Sequence, residues 1–373
     1  MRTYIEYHGP GGDFDKFHEL APILAEAEER ARANGDPFHI NIGGFVSPEF
    51  RDPNGRLLPG GAAKYAEWAM TGLLSLAKEG IVVQYWDIGP EPDGMGNLSV
   101  NELRQLILAT GAAFRRAGVS TQIATPRTYT VADAPEYAMP LLQDPSTRQY
   151  IHQMDFHEYD YDASQGQHPD IRDRHIVRDL ARQYHLTVAM RETSSDVKRN
   201  RTTFWNGTYD QAMAWVNDVM TDLVDANASA WDLISADYIR NNPRYGVDSY
   251  VVLDFRNCTY TGFEIPPHYW TLRQIVRFVR PGAVRVAASS SARQVRVAAF
   301  IDPSRHETIL VTINNSPNYE VKVEISGTPR GSTTVTLTTV TQHGVQVPLT
   351  MARNSPPMAT LPPRSVTTFV FTR

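Results

Sequence analysis

The chain has 373 residues, 42% of them hydrophobic, a formal net charge of -5 and a single cysteine, which is enough sequence for one large domain and a small one. Acidic and basic residues are interspersed without a Lys/Arg run, so no phosphate-tracking surface is expected and nucleic acid is not an expected partner; Cys258 alone excludes an internal disulfide and a thiolate metal cage. No apolar run reaches bilayer length and no signal-peptide core follows the first residues, so no membrane partner is expected, while the localisation stays open and the excess of Arg over Lys suggests a bacterial origin.

Taken in chain order, "RTYIEYH" reads as a strand with Phe17 to Asn34 as its helix. Short β-rich runs then alternate with longer helical patterns: 38–44, 81–89, 121–126, 151–159, 186–192 and 230–238. Among the helical segments, Val100 to Ala117 carries Leu103, Leu106, Ile107, Ala113 and Phe114 on one stripe and ends at Gly118. Tyr209 to Ala226 places Met213, Val216, Met220 and Leu223 on one face. This alternation predicts an α/β fold with a parallel sheet and helices outside it, of the (β/α)8 TIM-barrel type. About seven βα units are visible where a closed barrel needs eight, so the expected barrel is incomplete at its N-terminus.

From "YWTLRQIVRFVR" and Pro281-Gly282 onward the character changes to short alternating strands rich in β-branched residues, which predicts a C-terminal antiparallel β-sandwich. The expected division is a barrel domain over 1–280 and a sandwich domain over 281–373.

In a (β/α)8 protein the reactive groups stand at the C-terminal ends of the strands. Glu91 follows the run "YWDIG" and is fenced by Pro90 and Pro92; Glu192 ends the run "TVAMRE" three units later, which places the two across the barrel mouth. Two facing carboxyl groups suit glycoside hydrolysis, one protonating the leaving oxygen and the other attacking the anomeric carbon or activating water. Acidic residues in the loops of any barrel are the alternative.

Several stretches together resemble glycoside hydrolase family 30, in clan A of the retaining glycosidases: "SPEFRDPNGRLLPGGAAKYAEW", the Glu-Pro step at 91–92, "FHEY", "RETSSD" and "HYWTLRQIVRFVRPGAVRV". The resemblance implies that Glu91 is the general acid/base and Glu192 the nucleophile of a retaining hydrolase acting on β-linked oligo- or polysaccharides. It further implies that Tyr159 donates to the nucleophile, that His157 helps orient it and that Trp231 lines the sugar position; the alternatives are that His157 and Tyr159 pack as satisfied polar residues near the rim and that Trp231 belongs to the core. Two features depart from the family. Pro90 replaces the Asn that precedes the acid/base, and the family's first strand and helix have no counterpart before Met1. An incomplete barrel would leave unpaired strand edges, so the expectation is either an open barrel stabilised by self-association, a partner interaction beside the carbohydrate substrate, or a rearranged closure.

Rival chemistry is absent from the sequence: there is no phosphate-binding Gly-rich loop, dinucleotide fingerprint or nucleophile-elbow serine, and no cofactor is expected. His152, His157, His168, His175 and His185 lie among Asp155, Asp160 and Asp162 with no defensible metal spacing, so no metal is expected. The alternative function is a carbohydrate-binding relative impaired in catalysis by Pro90 and the missing unit.

Overall fold

The computed structural model describes residues 2–5, 15–159, 170–193, 208–233, 235–239, 249–329, 331–349 and 356–372. Asp160, Asp162 and His168 lie outside the described residues. Contacts divide the chain into two compact units, the first comprising Met1–Tyr161, His168–Thr193 and Asp225–Asp232 and the second the remainder.

The first unit alternates strands and helices: β1 (Arg2–Ile5), α1 (Asp15–Ala33), β2 (Asn41–Gly44), α2 (Gly61–Lys78), β3 (Tyr85–Ile88), α3 (Val100–Ala117), β4 (Gln122–Ala124), α4 (Ala134–Gln143), α5 (Pro145–Arg148), β5 (Ile151–His157), α6 (Ile171–Gln183), β6 (Thr187–Glu192) and, after a return from the second unit, β7 (Ala230–Trp231). The strands run parallel in the order β1-β2-β3-β4-β5-β6-β7, a curled partial barrel. β1 and β7 are its terminal strands; among the described residues neither is hydrogen-bonded to a further strand.

Local chemistry sets the helix bounds. Ser99 accepts from the Glu102 backbone N–H while Glu102 reaches back to the Ser99 N–H, a reciprocal cap at the start of α3, and Gly118 ends it at φ 66. The Glu102 carboxyl, although desolvated, is pulled down to about 2 by its bonds from Ser99 and the Leu57 N–H.

The period-two alternation of the strands sorts the barrel wall into two unlike faces. Ile42, Trp86, Ile88, Ile123, Met154, Phe156, Val188 and Met190 join the hydrophobic cluster formed with the surrounding helices. The opposite, inward face carries Asn41, Asp87, Gln153, Asp155 and Arg191, all buried. Gly44 is required at its place because a Cβ there would run into the Tyr65 hydroxyl and the Trp86 ring. Its absence lets Tyr65 donate to the Gly44 carbonyl at 2.8 Å and accept from Trp86 Nε1 at 3.1 Å.

The second unit contains α7 (Tyr209–Thr221), β8 (Ser235–Ile239), β9 (Ser249–Arg256), β10 (Thr259–Glu264), α8 (Pro267–Val276), β11 (Val284–Val286), β12 (Val295–Asp302), β13 (Glu307–Asn314), β14 (Val321–Glu324), β15 (Ser332–Thr338), β16 (Val345–Gln346), β17 (Met358–Leu361) and β18 (Ser365–Thr372). A six-stranded sheet, β11-β12-β13-β18-β15-β16, faces the pair β14-β17 across a core of Val295, Ile325, Val335, Leu361, Phe369 and Phe371. Its other face meets the helices: Thr368 donates to the Gln274 carbonyl at 2.6 Å, and Arg296 to the Asn217 carbonyl at 3.0 Å.

One expected strand divides. Residues 230–238 form not one barrel strand but two pieces: β7 keeps two pairings with β6, and β8 joins β9 in a separate sheet with β10. The eight-residue β9 offers β8 a longer ladder than the two residues beside β6. No described helix is long and apolar enough to cross a membrane.

Candidate active site

The loop after β3 places Glu91. Gly89 adopts φ 58 and Glu91 itself φ 53, a left-handed conformation that costs a non-glycine residue on the order of 1 kcal/mol or more. The loop holds it there with four backbone hydrogen bonds: Glu91 N–H to the Arg127 carbonyl at 2.8 Å, Gly94 and Gly96 N–H to the Glu91 carbonyl at 2.9 and 2.8 Å, and Leu98 N–H to the Pro92 carbonyl at 2.8 Å. A Cβ on Gly96 would stand 2.5 Å from the Pro90 carbonyl oxygen and 2.7 Å from that of Glu91, so only glycine lets the loop close on itself. Arg51, from the loop after β2, ties the same turn down by donating to the Gly96 and Asn97 carbonyls. Glu91 is thereby a buried carboxyl, 3% exposed, at a fixed point beyond the strand.

β5 and β6 supply the facing groups. A register shift between Phe156 and His157 brings His157 opposite Glu192 at the strand ends. His157 Nδ1 lies 2.8 Å from Glu91 Oε1, and the Tyr159 hydroxyl donates to Glu192 Oε1 at 2.9 Å. Ligand-type atoms of Glu91, His157 and Glu192 all lie within 4.8 Å of one another, which among the described residues makes them the group compact enough to surround one cation. Both nitrogens of His157 are engaged, Nδ1 with Glu91 and Nε2 with Arg127 Nε at 2.8 Å, so the ring has no lone pair directed at a metal.

The structure therefore brings together four of the residues singled out from sequence: Glu91, His157, Tyr159 and Glu192. Trp231 pairs beside Met190 on β7 and packs, partly buried, against the hydrophobic cluster of the first unit.

Three further residues belong to this neighbourhood and escaped the sequence reading. Tyr129 stacks on Tyr159 with centroids 4.8 Å apart and 29° between planes. Burial pushes its hydroxyl up, and the negative charges of Glu91, Asp93 and Glu192 add to this. Asp93 accepts the Tyr129 N–H at 2.8 Å and is pushed up to about 6, by burial first and by Asp133 beside it. Arg127, completely buried, joins His157 to Asp87 through its Nη1. The available signal was position: Arg127 and Tyr129 follow the expected strand 121–126 directly, where barrel chemistry resides.

Beneath these groups the inward face of the barrel is a polar network. Asp87 accepts from Asn41 Nδ2 at 3.0 Å and pairs with Arg127; Arg191 donates to Asp232 at 2.8 Å and to Gln153. Asp155 is raised well above the usual carboxylate range by burial and then by Asp87. Arg127 pairs with Asp87 and Arg191 with Asp232, each a buried or largely buried guanidinium facing a carboxylate. Removing one partner of such a buried pair costs about 3–5 kcal/mol, because the other charge is left uncompensated.

No protein-family model and no curated protein matches the chain. Solved structures do. A glycoside hydrolase family 30 endoxylanase from Clostridium papyrosolvens is 16% identical with a TM-score of 0.74, covering 100% of this chain and 89% of that one. The catalytic domain of family 30 xylanase C from Talaromyces cellulolyticus is 20% identical with a TM-score of 0.75, covering 100% and 87%. An endo-β-1,6-glucanase is 16% identical with a TM-score of 0.66, covering 95% and 75%. The chain has a fold of the glycoside hydrolase family 30, clan A kind.

Proposed function

We propose that the protein is a retaining glycoside hydrolase acting on β-linked oligo- or polysaccharides, with Glu91 as general acid/base and Glu192 as nucleophile. The observation that carries the reading is the approach of the two carboxyl groups, which offer oxygens within 4.8 Å of each other. Retention needs carboxyl groups about 5–5.5 Å apart, whereas inversion needs about 6.5–9.5 Å to admit a water molecule between sugar and base.

In the first step Glu192 attacks the anomeric carbon while Glu91 gives its proton to the departing glycosidic oxygen. In the second, Glu91 removes a proton from the water that displaces Glu192. The Tyr159 hydroxyl stabilises Glu192 as an anion by donation and releases it when the covalent bond forms. Tyr129, half-buried and stacked on Tyr159, offers an apolar ring edge and a hydroxyl beside both carboxyl groups. Pro90 has no side-chain donor for the sugar's 2-hydroxyl, so that contact falls to another residue. Structural neighbours named as xylanases and a β-1,6-glucanase make those two chain types the first substrates to try.

The test begins with aryl β-glycosides. Glu192→Ala should lose turnover by about 10³-fold or more, and azide should restore part of it as an α-glycosyl azide. Glu91→Ala should slow substrates with poor leaving groups far more than activated aryl glycosides, and azide should there give the β-product. Turnover unchanged in Glu192→Ala would reject the mechanism, and sugar binding without turnover in the wild type would favour a binding protein.

A further inference from the structure

We propose that Arg127 is a positioning residue that holds His157 as its Nδ1–H tautomer and so makes the imidazole a hydrogen-bond donor to Glu91. A guanidinium stays protonated and has donors only. Arg127 Nε stands 2.8 Å from His157 Nε2, so that nitrogen must present its lone pair. The ring proton then sits on Nδ1, 2.8 Å from Glu91 Oε1, and is given to the carboxyl group. A doubly protonated ring would set two N–H groups and two positive charges against each other at that distance.

Arg127 is locked from behind. Its Nη1 donates to Asp87, whose other oxygen accepts from Asn41, and all three side chains are buried. Its backbone is fixed as firmly, at φ 51: the N–H donates to the Asp155 carbonyl at 2.9 Å and the carbonyl accepts the Glu91 N–H at 2.8 Å. One residue thus anchors the backbone of Glu91 and, through His157, its side chain.

The catalytic consequence rests on Glu91 being the acid/base. With Oε1 accepting from the imidazole, the proton destined for the leaving oxygen is directed to Oε2. The tautomer itself does not depend on that reading, and the experiment is chosen accordingly.

Long-range proton–nitrogen NMR of 15N-labelled protein at neutral pH reads each imidazole nitrogen, and the signals of His157 are assigned by their loss in His157→Gln. The expected spectrum has a protonated Nδ1 and a bare, acceptor-type Nε2. Asp87→Asn combined with Arg127→Met removes the donor without stranding a buried carboxylate, and there Nε2 should gain a proton. Arg127→Lys retains a donor and should keep Nε2 bare; it serves if the double variant fails to fold. A protonated Nε2 in the wild type, or an unchanged bare Nε2 in the double variant, would overturn the proposal whether or not the protein hydrolyses glycosides. With a substrate in hand, the double variant should lose about tenfold or more in kcat on poor leaving groups at nearly constant KM, part of the ~10²–10⁴ supplied by acid/base catalysis.

Discussion

Glu91 illustrates how one residue is held against its own preference. A carboxylate-bearing residue at positive φ inside a Gly- and Pro-rich loop is stabilised only because the loop's hydrogen bonds over-determine it. The same loop presents Asp93, which gives a pH test. Its carboxyl rises from 3.8 to about 6 on folding, by burial and then by Asp133, so the folded state binds the proton more tightly than the unfolded chain. That contribution to stability is complete below about pH 4 and is lost as pH rises through about 6. Asp93→Asn removes the cost of ionisation while keeping an oxygen for the Tyr129 N–H. Its melting temperature relative to wild type should therefore be higher at pH 8, with the gain shrinking below pH 4. Thermal unfolding followed at both pH values checks it, and a pH-independent difference would contradict it.

At the scale of the element, α3 shows how much is written locally. Ser99, Glu102 and Gly118 delimit it, and the apolar stripe Leu103, Leu106, Ile107 and Phe114 is buried as the periodicity predicts. Glu102 also accepts from the Leu57 N–H, so the cap binds the loop after β2 to the helix. Because the Glu102 carboxyl falls from 4.5 to about 2 on folding, its contribution is present above about pH 4.5 and is lost as pH falls through about 2. Glu102→Gln should thus destabilise the protein at pH 7 and differ little from wild type at pH 2; denaturant unfolding at the two pH values reads the difference. The strands were less legible. Each expected run contains a strand, yet 81–89 contributes only Tyr85–Ile88 and 230–238 divides between two sheets. The hairpin β9–β10 and the short β16 and β17 escaped the sequence reading altogether. Strand limits depend on what a neighbouring strand offers to pair with, and composition does not contain that information.

At the scale of the molecule, the first unit is a curled parallel sheet whose terminal strands β1 and β7 meet no further strand among the described residues, and the second an antiparallel core closed on one side by β14-β17 and on the other by helices. The second unit gathers α7, the β8–β10 sheet and α8 with the sandwich, so compactness follows contacts rather than the change in composition at about residue 281. Terminal strands of a parallel sheet carry backbone donors and acceptors that invite a further chain. The expected outcome is concentration-dependent self-association, read as a rising weight-average mass in sedimentation equilibrium. A monomer throughout the micromolar range would remove it.

What the sequence by itself determined was local and periodic: the alternation of strands and helices, the caps, the placement of Glu91 and Glu192 at strand ends, and His157 and Tyr159 two residues apart at the end of a third strand. Each follows from chemistry within a few positions of the chain. Only the tertiary structure decided that Arg127 reaches between Asp87 and His157, that Asp155 is buried beside Asp87 and raised by it, that Tyr129 stacks on Tyr159 and that Trp231 packs against the hydrophobic cluster. Those facts depend on which side chains from separate strands face the same interior at the same height. That is a property of register and curvature, to which distant parts of the chain contribute together.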